Sequence, residues 1–356
     1  MAAPLIASTP QGLYCEEGGF SIDPWRPVDR AVVSHAHADH AVRGCARYLT
    51  SARGVPILAA RMNPDAAIEG VPYGEVRAVG NVRLSLHPAG HVPGSAMIRV
   101  ERIARSAHGP AGEAWLFTGD FKTARDPTCE TFEPVPCHTM ITESTFGLPI
   151  YRWAPAERVF AEINAWWSEN RRIGRTSVVY AYALGKAQRL LAGVDPSVGP
   201  LGVHGSIERM NKACRAAGVE LPPVVTATGD DAKAIRGEGL VVAPPSVAAT
   251  AWLRRLGGRE GVSTAFVSGW MAVRGARRRR AVDRGFVLSD HADWDGLLSA
   301  IRACGATRVG VTHGFSDALS RYVRETMGLD SFTVASRFEG EGVEDLNEET
   351  PAEGDA

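Results

Sequence analysis

The seven residues Ser34-His35-Ala36-His37-Ala38-Asp39-His40 hold four metal-ligand side chains, three of them drawn from the chain's ten histidines. They follow the apolar run Arg30-Ala31-Val32-Val33, which reads as a strand. Neutral imidazole nitrogens and carboxylate oxygens are the donors that zinc and its first-row neighbours accept. In an extended chain His35, His37 and Asp39 share one side, because side chains alternate with a period of two. His40 breaks that alternation, so the chain must turn, and Asp39 falls where an N-cap would open a helix over "HAVRGCARYL". Donors then point in two directions from one loop. A catalytic metal needs further ligands while keeping a position open for water, so the fold has to bring other strand ends to this loop.

Three such ends offer candidates. His91 lies in the Gly-rich turn "PAGHVPGSA", Asp120 ends "AWLFTGD" and His313 ends "RVGVTH". Each alone would be an ordinary capping or hydrogen-bonding group. Together with the cluster they make a candidate two-metal site, in which a carboxylate bridges and the metal pair holds a hydroxide and offsets charge developing on phosphorus. His87 and His138, near strand edges, read as framework residues.

The texture of the chain changes near Pro155. Before it, short apolar runs such as "VRLSLHP", "AMIRVE" and "HTMITES" are bounded by Gly, Pro and Asp, as in a β-rich layer. After it, helical and strand patterns alternate ("APAERVFAEINAWWSEN", "TSVVYAYA", "GKAQRLLAGV", "GLVVAPP"), which predicts a separate α/β domain with a parallel sheet. At 356 residues the chain suits two domains, or one with a large insertion. No apolar run is long enough to span a bilayer and the N-terminus lacks a signal-peptide pattern, so the expected compartment is the cytoplasm, with no membrane partner. The six scattered cysteines form no C-x-x-C pair and read as reduced core residues.

With these motifs in hand, the chain resembles the metallo-β-lactamase fold, an αββα sandwich with metals at one edge. The carriers are "SHAHADH", "GH" at 90 to 91 and "TGD" at 118 to 120. "ITESTFG" at 141 to 147, "SDHADW" at 289 to 294 and "THG" at 312 to 314 look like the three extra motifs of the β-CASP subgroup, which are nucleic-acid nucleases with an α/β cap domain inserted in the sandwich. The resemblance implies a first part over 1–150, a β-CASP cap over 151–280 and the C-terminal part of the sandwich over 281–338, and it leaves out an acidic tail over 339–356 that composition alone reads as disordered. The opening "GLYCEEGGFSIDPWRPVDRAVVSHAHADH", with "YALGKAQRLL" and "SGWM", is similar to bacterial ligase-associated DNA exonucleases. That group implies functional association with a DNA ligase and a helicase.

Carried over, the resemblance implies one metal on His35, His37 and His91 and a second on Asp39, His40 and His313, with Asp120 bridging. The ions implied are two zincs, although these ligands also admit manganese. Asp23, in "FSIDPW", matches a carboxylate that orients the ligands from outside. Glu143 and His291 match the first two β-CASP motifs. Phosphodiester cleavage also needs a proton for the leaving alkoxide, and a histidine beside a carboxylate is suited to give it. This casts His291 as general acid and Glu143 as its partner, next to the catalytic carboxylates Asp39 and Asp120.

Substrate contacts are less sharply written. The last eighteen residues contain eight acids and no base, leaving 39 basic against 32 acidic residues, a net +7, in the first 338. Arg274, Arg277, Arg278, Arg279, Arg280 and Arg284 cluster just before the His291 motif, as a backbone-binding patch or a solvated face. Arg is the default base of this chain, supplying 35 of 39, so its choice there carries little information. Lys186, at the entry of a helix, could meet a terminal phosphate or equally sit in a small-residue packing turn. Trp166, Trp167 and Trp270 could stack on bases, although at 166 and 167, within an amphipathic helix, core or interface is the commoner reading. The expected activity is a two-metal DNA exonuclease acting from a 5′ end in repair. An RNA-processing nuclease is the first alternative, favoured by His313, because histidine at that place resembles the RNA-cleaving branch. A small-molecule metallohydrolase and a non-catalytic scaffold complete the set.

Overall fold

The computed structural model describes residues 4–103, 112–257, 261–275 and 281–336. Described residues up to Arg152 and from His291 onward form one compact unit, and Trp153–Asp290 form another.

The first unit is built on two sheets. One has six strands in the order Ala7–Thr9, Gly12–Cys15, Phe20–Ile22, Arg30–Val32, Arg47–Ser51, Ile68–Val71. The other has seven, in the order Asp330–Thr333, Arg308–Thr312, Thr139–Glu143, Ala114–Phe117, Ala96–Arg102, Val82–Pro88, Val76–Val79. The period-two alternation sorts side chains onto its two faces. Trp115, Phe117 and Ile141 join Leu13, Phe20, Ile22 and Val32 of the first sheet in one core between the sheets. Leu116, Met140, Val309 and Val311 face the other way, onto the helices Trp294–Ala303 and Ser316–Glu325 through Leu297, Ile301, Leu319 and Val323.

Strand direction sets where chemistry can sit. Ala114–Phe117, Thr139–Glu143 and Arg308–Thr312 are mutually parallel neighbours, with Phe117 opposite Ile141 and Glu143 opposite Thr312. Their carboxyl ends therefore deliver Asp120, Glu143 and His313 to one edge, the usual place for sites in such sheets.

The helix expected from Asp39 over "HAVRGCARYL" is absent. His40 N and Ala41 N both donate to His37 O (3.2 and 2.9 Å), closing a turn, and the chain reverses again at Gly44 with φ +90° before Arg47–Ser51 pairs as a strand between Arg30–Val32 and Ile68–Val71. Sheet pairing and the inward aim of His40 outweigh a local helix-start signal.

The second unit has a six-stranded sheet, entirely parallel, in the order Val225–Thr226, Leu201–Val203, Leu240–Ala243, Thr176–Tyr180, Val262–Val267, Arg284–Phe286. Thr176–Tyr180 is buried along its whole length, as expected for a central parallel strand covered on both faces. Trp166 and Trp167 follow the core reading: they belong to the buried side of the helix Ala156–Arg172, and Trp167 Nε1 donates to Glu238 O at 2.9 Å.

Candidate metal centre

Three of the expected ligands, His35, His37 and His91, meet around a fourth, Asp120. His35 Nε2 lies 3.1 Å from His37 Nδ1, and His91 Nε2 lies 3.3 Å from the same atom. Asp120 Oδ2 is 3.7 Å from His35 Nε2 and 3.8 Å from His91 Nε2. A second group, His40 and His313, shares the same carboxylate. His40 Nε2 is 3.4 Å from Asp120 Oδ2, and His313 Nδ1 is 3.9 Å from Asp120 Oδ1. Asp39 Oδ2 stands 3.4 Å from His40 Nε2.

These separations fit metal ligation. Atoms held by one tetrahedral zinc at about 2.0–2.1 Å lie roughly 3.3–3.4 Å apart, close to the spacings above. Two further signs agree. Asp39 Oδ1 and His40 Nε2 are buried without a hydrogen-bond partner, an arrangement that costs stability unless something else satisfies them. In the metal-free protein burial, helped by the neighbouring histidines, pushes the His35 pKa well below its ordinary value, which keeps its imidazole neutral and able to ligate. His40 goes the other way. Burial opposes its charge, but Asp39, Asp120 and Asp23 hold its pKa well above the ordinary value. Asp120 stays ionised because His40 and His291 outweigh its burial.

Backbone shape supports the cluster. Among the described residues only Asp23, Ala281 and His313 are non-glycines with positive φ, and two of these belong to the site, at +41° and +54°. Such conformations persist where surrounding structure enforces them. Gly119, at φ +54°, has no room for a side chain, since a Cβ there would lie 2.8 Å from Ser34 Cβ and Oγ.

A third group adjoins the first two: Asp120, Glu143 and His291. His291 Nδ1 sits 2.9 Å from Glu143 Oε2 and 3.1 Å from Oε1. Glu143 is only 1% exposed, and its Oε1 also accepts Phe121 N–H at 2.8 Å. Phe121 O in turn accepts Ala292 N–H at 2.7 Å, so one residue ties the Asp120 turn to both Glu143 and the His291 segment. Asp293 caps the following helix by accepting from Gly296 N at 2.8 Å.

Comparison with known proteins supplies the family. No family profile matches the chain. A protein from Opitutus terrae named Probable DNA ligase is 32% identical over 324 residues, which is 91% of this chain but 30% of that protein. Endoribonuclease YSH1 of Gibberella zeae is 33% identical over 138 residues, 38% of this chain and 15% of its own length. The chain thus spans less than a third of either relative. The chain belongs to the β-CASP subgroup of the metallo-β-lactamase fold. A solved structure of a protein of unknown function from Enterococcus faecalis shares the fold, with TM-score 0.56 over 87% of this chain and 80% of that one at 12% identity.

Within this β-CASP chain the expected nucleic-acid contacts lie in the second unit. Lys186 opens the helix Lys186–Gly193 but is 4% exposed, with Nζ 3.6 Å from Asp290 Oδ2 and 4.9 Å above the Tyr182 ring. Arg189 Nη1 lies 3.3 Å from Asp290 Oδ1 and also donates to Ser289 O. Arg274 and Arg284 are exposed, whereas Arg277, Arg278, Arg279 and Arg280 fall outside the described residues. The acidic tail does too. His87 and His138 are framework groups: His87 Nε2 lies 2.9 Å from Ser85 Oγ, and His138 Nδ1 accepts Ala114 N–H at 2.9 Å. None of the six cysteines is joined in a disulfide. No helix among the described residues is long and apolar enough to cross a membrane. Ser34 and Phe121 were not signalled by residue type, since a serine and a phenylalanine carry no ligand chemistry and act here through the Ser34 hydroxyl and N–H and the Phe121 N–H and carbonyl.

Proposed function

We propose that this protein is a two-metal DNA exonuclease that hydrolyses phosphodiesters from a 5′ end in DNA repair. The observation that carries the nuclease reading is the sharing of Asp120 by two histidine groups, with the His291–Glu143 pair beside it. In the proposed assignment His35, His37 and His91 hold one ion, Asp39, His40 and His313 the other, and Asp120 both, with zinc as the ion and manganese compatible with the same donors. When bound, the ions supply an activated water and offset charge on the phosphoryl oxygens.

The chain's own residues do the rest. Glu143, anchored by Phe121 N–H, holds His291 through Nδ1, so Nε2 is the nitrogen that meets the leaving alkoxide. His291 gives its proton there as the ester bond breaks, and Glu143 stabilises the imidazolium before the transfer. A small ester with a good leaving group needs no such pair, which supports a nuclease over a small-molecule hydrolase.

DNA is favoured because likeness to the ligase-named protein runs over 91% of the chain, against 38% for the endoribonuclease. The same likeness supports functional association with a DNA ligase, and the ligase-associated group adds a helicase. His313 is the residue favouring RNA. Six cysteines without a disulfide suit a reducing cytoplasm. Metal-defined protein, with Asp120→Ala as control, tests the reading on matched single-stranded DNA and RNA labelled in turn at each end. DNA-selective mononucleotide release with the 5′ label leaving first is expected. RNA-selective cleavage would overturn the DNA assignment, and no cleavage of either would overturn the nuclease reading.

A further inference from the structure

We propose that Asp23 and Ser34 form one proton-ordered relay that sets which ring nitrogen is protonated in a ligand of each metal group, so that both ions depend on a single buried carboxylate. The proposal rests on the two-metal reading above and identifies Ser34 as a positioning residue.

The argument is donor and acceptor bookkeeping. An ionised Asp23 can only accept. Its Oδ1 takes Ser34 N–H at 2.8 Å, while Oδ2 takes Ser34 Oγ at 2.5 Å and His40 Nδ1 at 2.6 Å. A serine hydroxyl has one proton, and here it goes to Asp23. Toward His35 Nδ1, 3.0 Å away, the same oxygen can therefore only accept. His35 must carry its proton on Nδ1 and turn an unprotonated Nε2 toward His37 and Asp120. His40 likewise donates from Nδ1 to Asp23, aiming Nε2 at Asp39 and Asp120. Asp23 thus reaches one metal group directly and the other through Ser34.

The relay is held rigidly. Ser34 is 1% exposed, its carbonyl accepts Ala96 N–H at 2.8 Å from the second sheet, and Gly119 packs against its side chain.

The two members should fail differently. In Asp23→Asn the amide nitrogen cannot face Ser34 N–H, so it takes the place of Oδ2 and donates toward Ser34 Oγ and His40 Nδ1. Ser34 then turns its proton to His35 Nδ1. Both histidines end with the proton on Nε2, and both lose the lone pair that faces the ligand cluster. Ser34→Ala removes the whole His35 arm but, at His40, only the longer approach of Ser34 Oγ to Nδ1 at 3.4 Å, because the direct Asp23–His40 bond at 2.6 Å remains.

The test is zinc titration against a competing chelator, counting ions retained, on wild type, Ser34→Ala, Asp23→Asn and Asp120→Ala. Outer ligands of this kind change metal affinity by roughly 10- to 100-fold. Ser34→Ala should lose about that factor at one ion and hold the other within about threefold, while Asp23→Asn should lose it at both. Unchanged affinities in Ser34→Ala, or equal losses at both ions, would overturn the relay. A wild type that binds fewer than two ions, or Asp120→Ala that binds like wild type, would overturn the two-metal reading instead. Should a variant fail to fold, ¹H–¹⁵N spectra of histidine-labelled, zinc-loaded wild type decide the matter. Nδ1–H signals from both His35 and His40 are expected, and an Nε2–H on His35 would overturn the relay.

Discussion

Replacing Glu143 with Gln changes one atom of a buried side chain and should reverse the polarity of its hydrogen bond with His291. Glu143 Oε1 already accepts Phe121 N–H at 2.8 Å. Leaving that buried donor unsatisfied would cost about 1–3 kcal/mol, so in Glu143→Gln the amide oxygen keeps the position. The new NH2 group then faces His291 Nδ1, where Oε2 accepted at 2.9 Å. An imidazolium presents N–H to N–H in that arrangement, and the acid form loses a charge-assisted bond worth roughly 1.5–3 kcal/mol. The expected fall in kcat on an oligonucleotide is about 10- to 150-fold, with little change in KM, since the pair acts when the bond breaks. The informative assay compares that loss with the loss on a 4-nitrophenyl phosphodiester, whose leaving group departs without a proton. On the activated substrate the deficit should shrink to about threefold or less. An equal deficit on both substrates, with metal content unchanged, would refute the general-acid assignment and leave Glu143 as a framework residue.

Asp120→Ala removes the carboxylate common to both histidine groups, so metal analysis should find at most one ion and hydrolysis should fall below detection; full activity would sink the site assignment. His40 predicts a pH effect with a definite sign. Its pKa is raised in the metal-free fold, so its imidazolium stabilises that fold fully below the unfolded value of 6.5, and the contribution fades as pH rises through the folded value. A metal ion taken up by His40 would have to displace that proton, so calorimetry with zinc in buffers of different ionisation enthalpy should register proton release near neutrality and affinity rising with pH. Neutralising Arg277 to Arg280 together should weaken nucleic-acid binding and flatten its salt dependence by roughly 0.7 in log–log slope for each phosphate no longer neutralised, whereas an unchanged slope would assign them to a solvated face. Leu297→Ala, in the core between sheet and helices, should cost roughly 2–5 kcal/mol in denaturant unfolding, and a cost under about 1 kcal/mol would mean that the site collapses around the cavity.

The sequence alone determined the inventory of this protein. Ligand chemistry is carried by residue type, so His35, His37, Asp39, His40, His91, Asp120 and His313 could be named as candidates from the string and from strand ends. The alternation of apolar residues marked the strands of the first unit and the parallel sheet of the second, because period and length are local properties. What needed the tertiary structure was everything set by neighbours distant in sequence. The segment after Asp39 carries a helix-start signal, yet it turns and becomes a strand because two neighbouring strands pair with it. Lys186, which sequence leaves open between a phosphate contact and a packing turn, is buried against Asp290, 104 positions away in the numbering. Ser34 and Phe121 look ordinary until the Asp23 and Glu143 carboxylates are brought against them. Hydrogen-bond direction in a buried network follows from which donors and acceptors meet, and the chain meets itself there only after both sheets are formed.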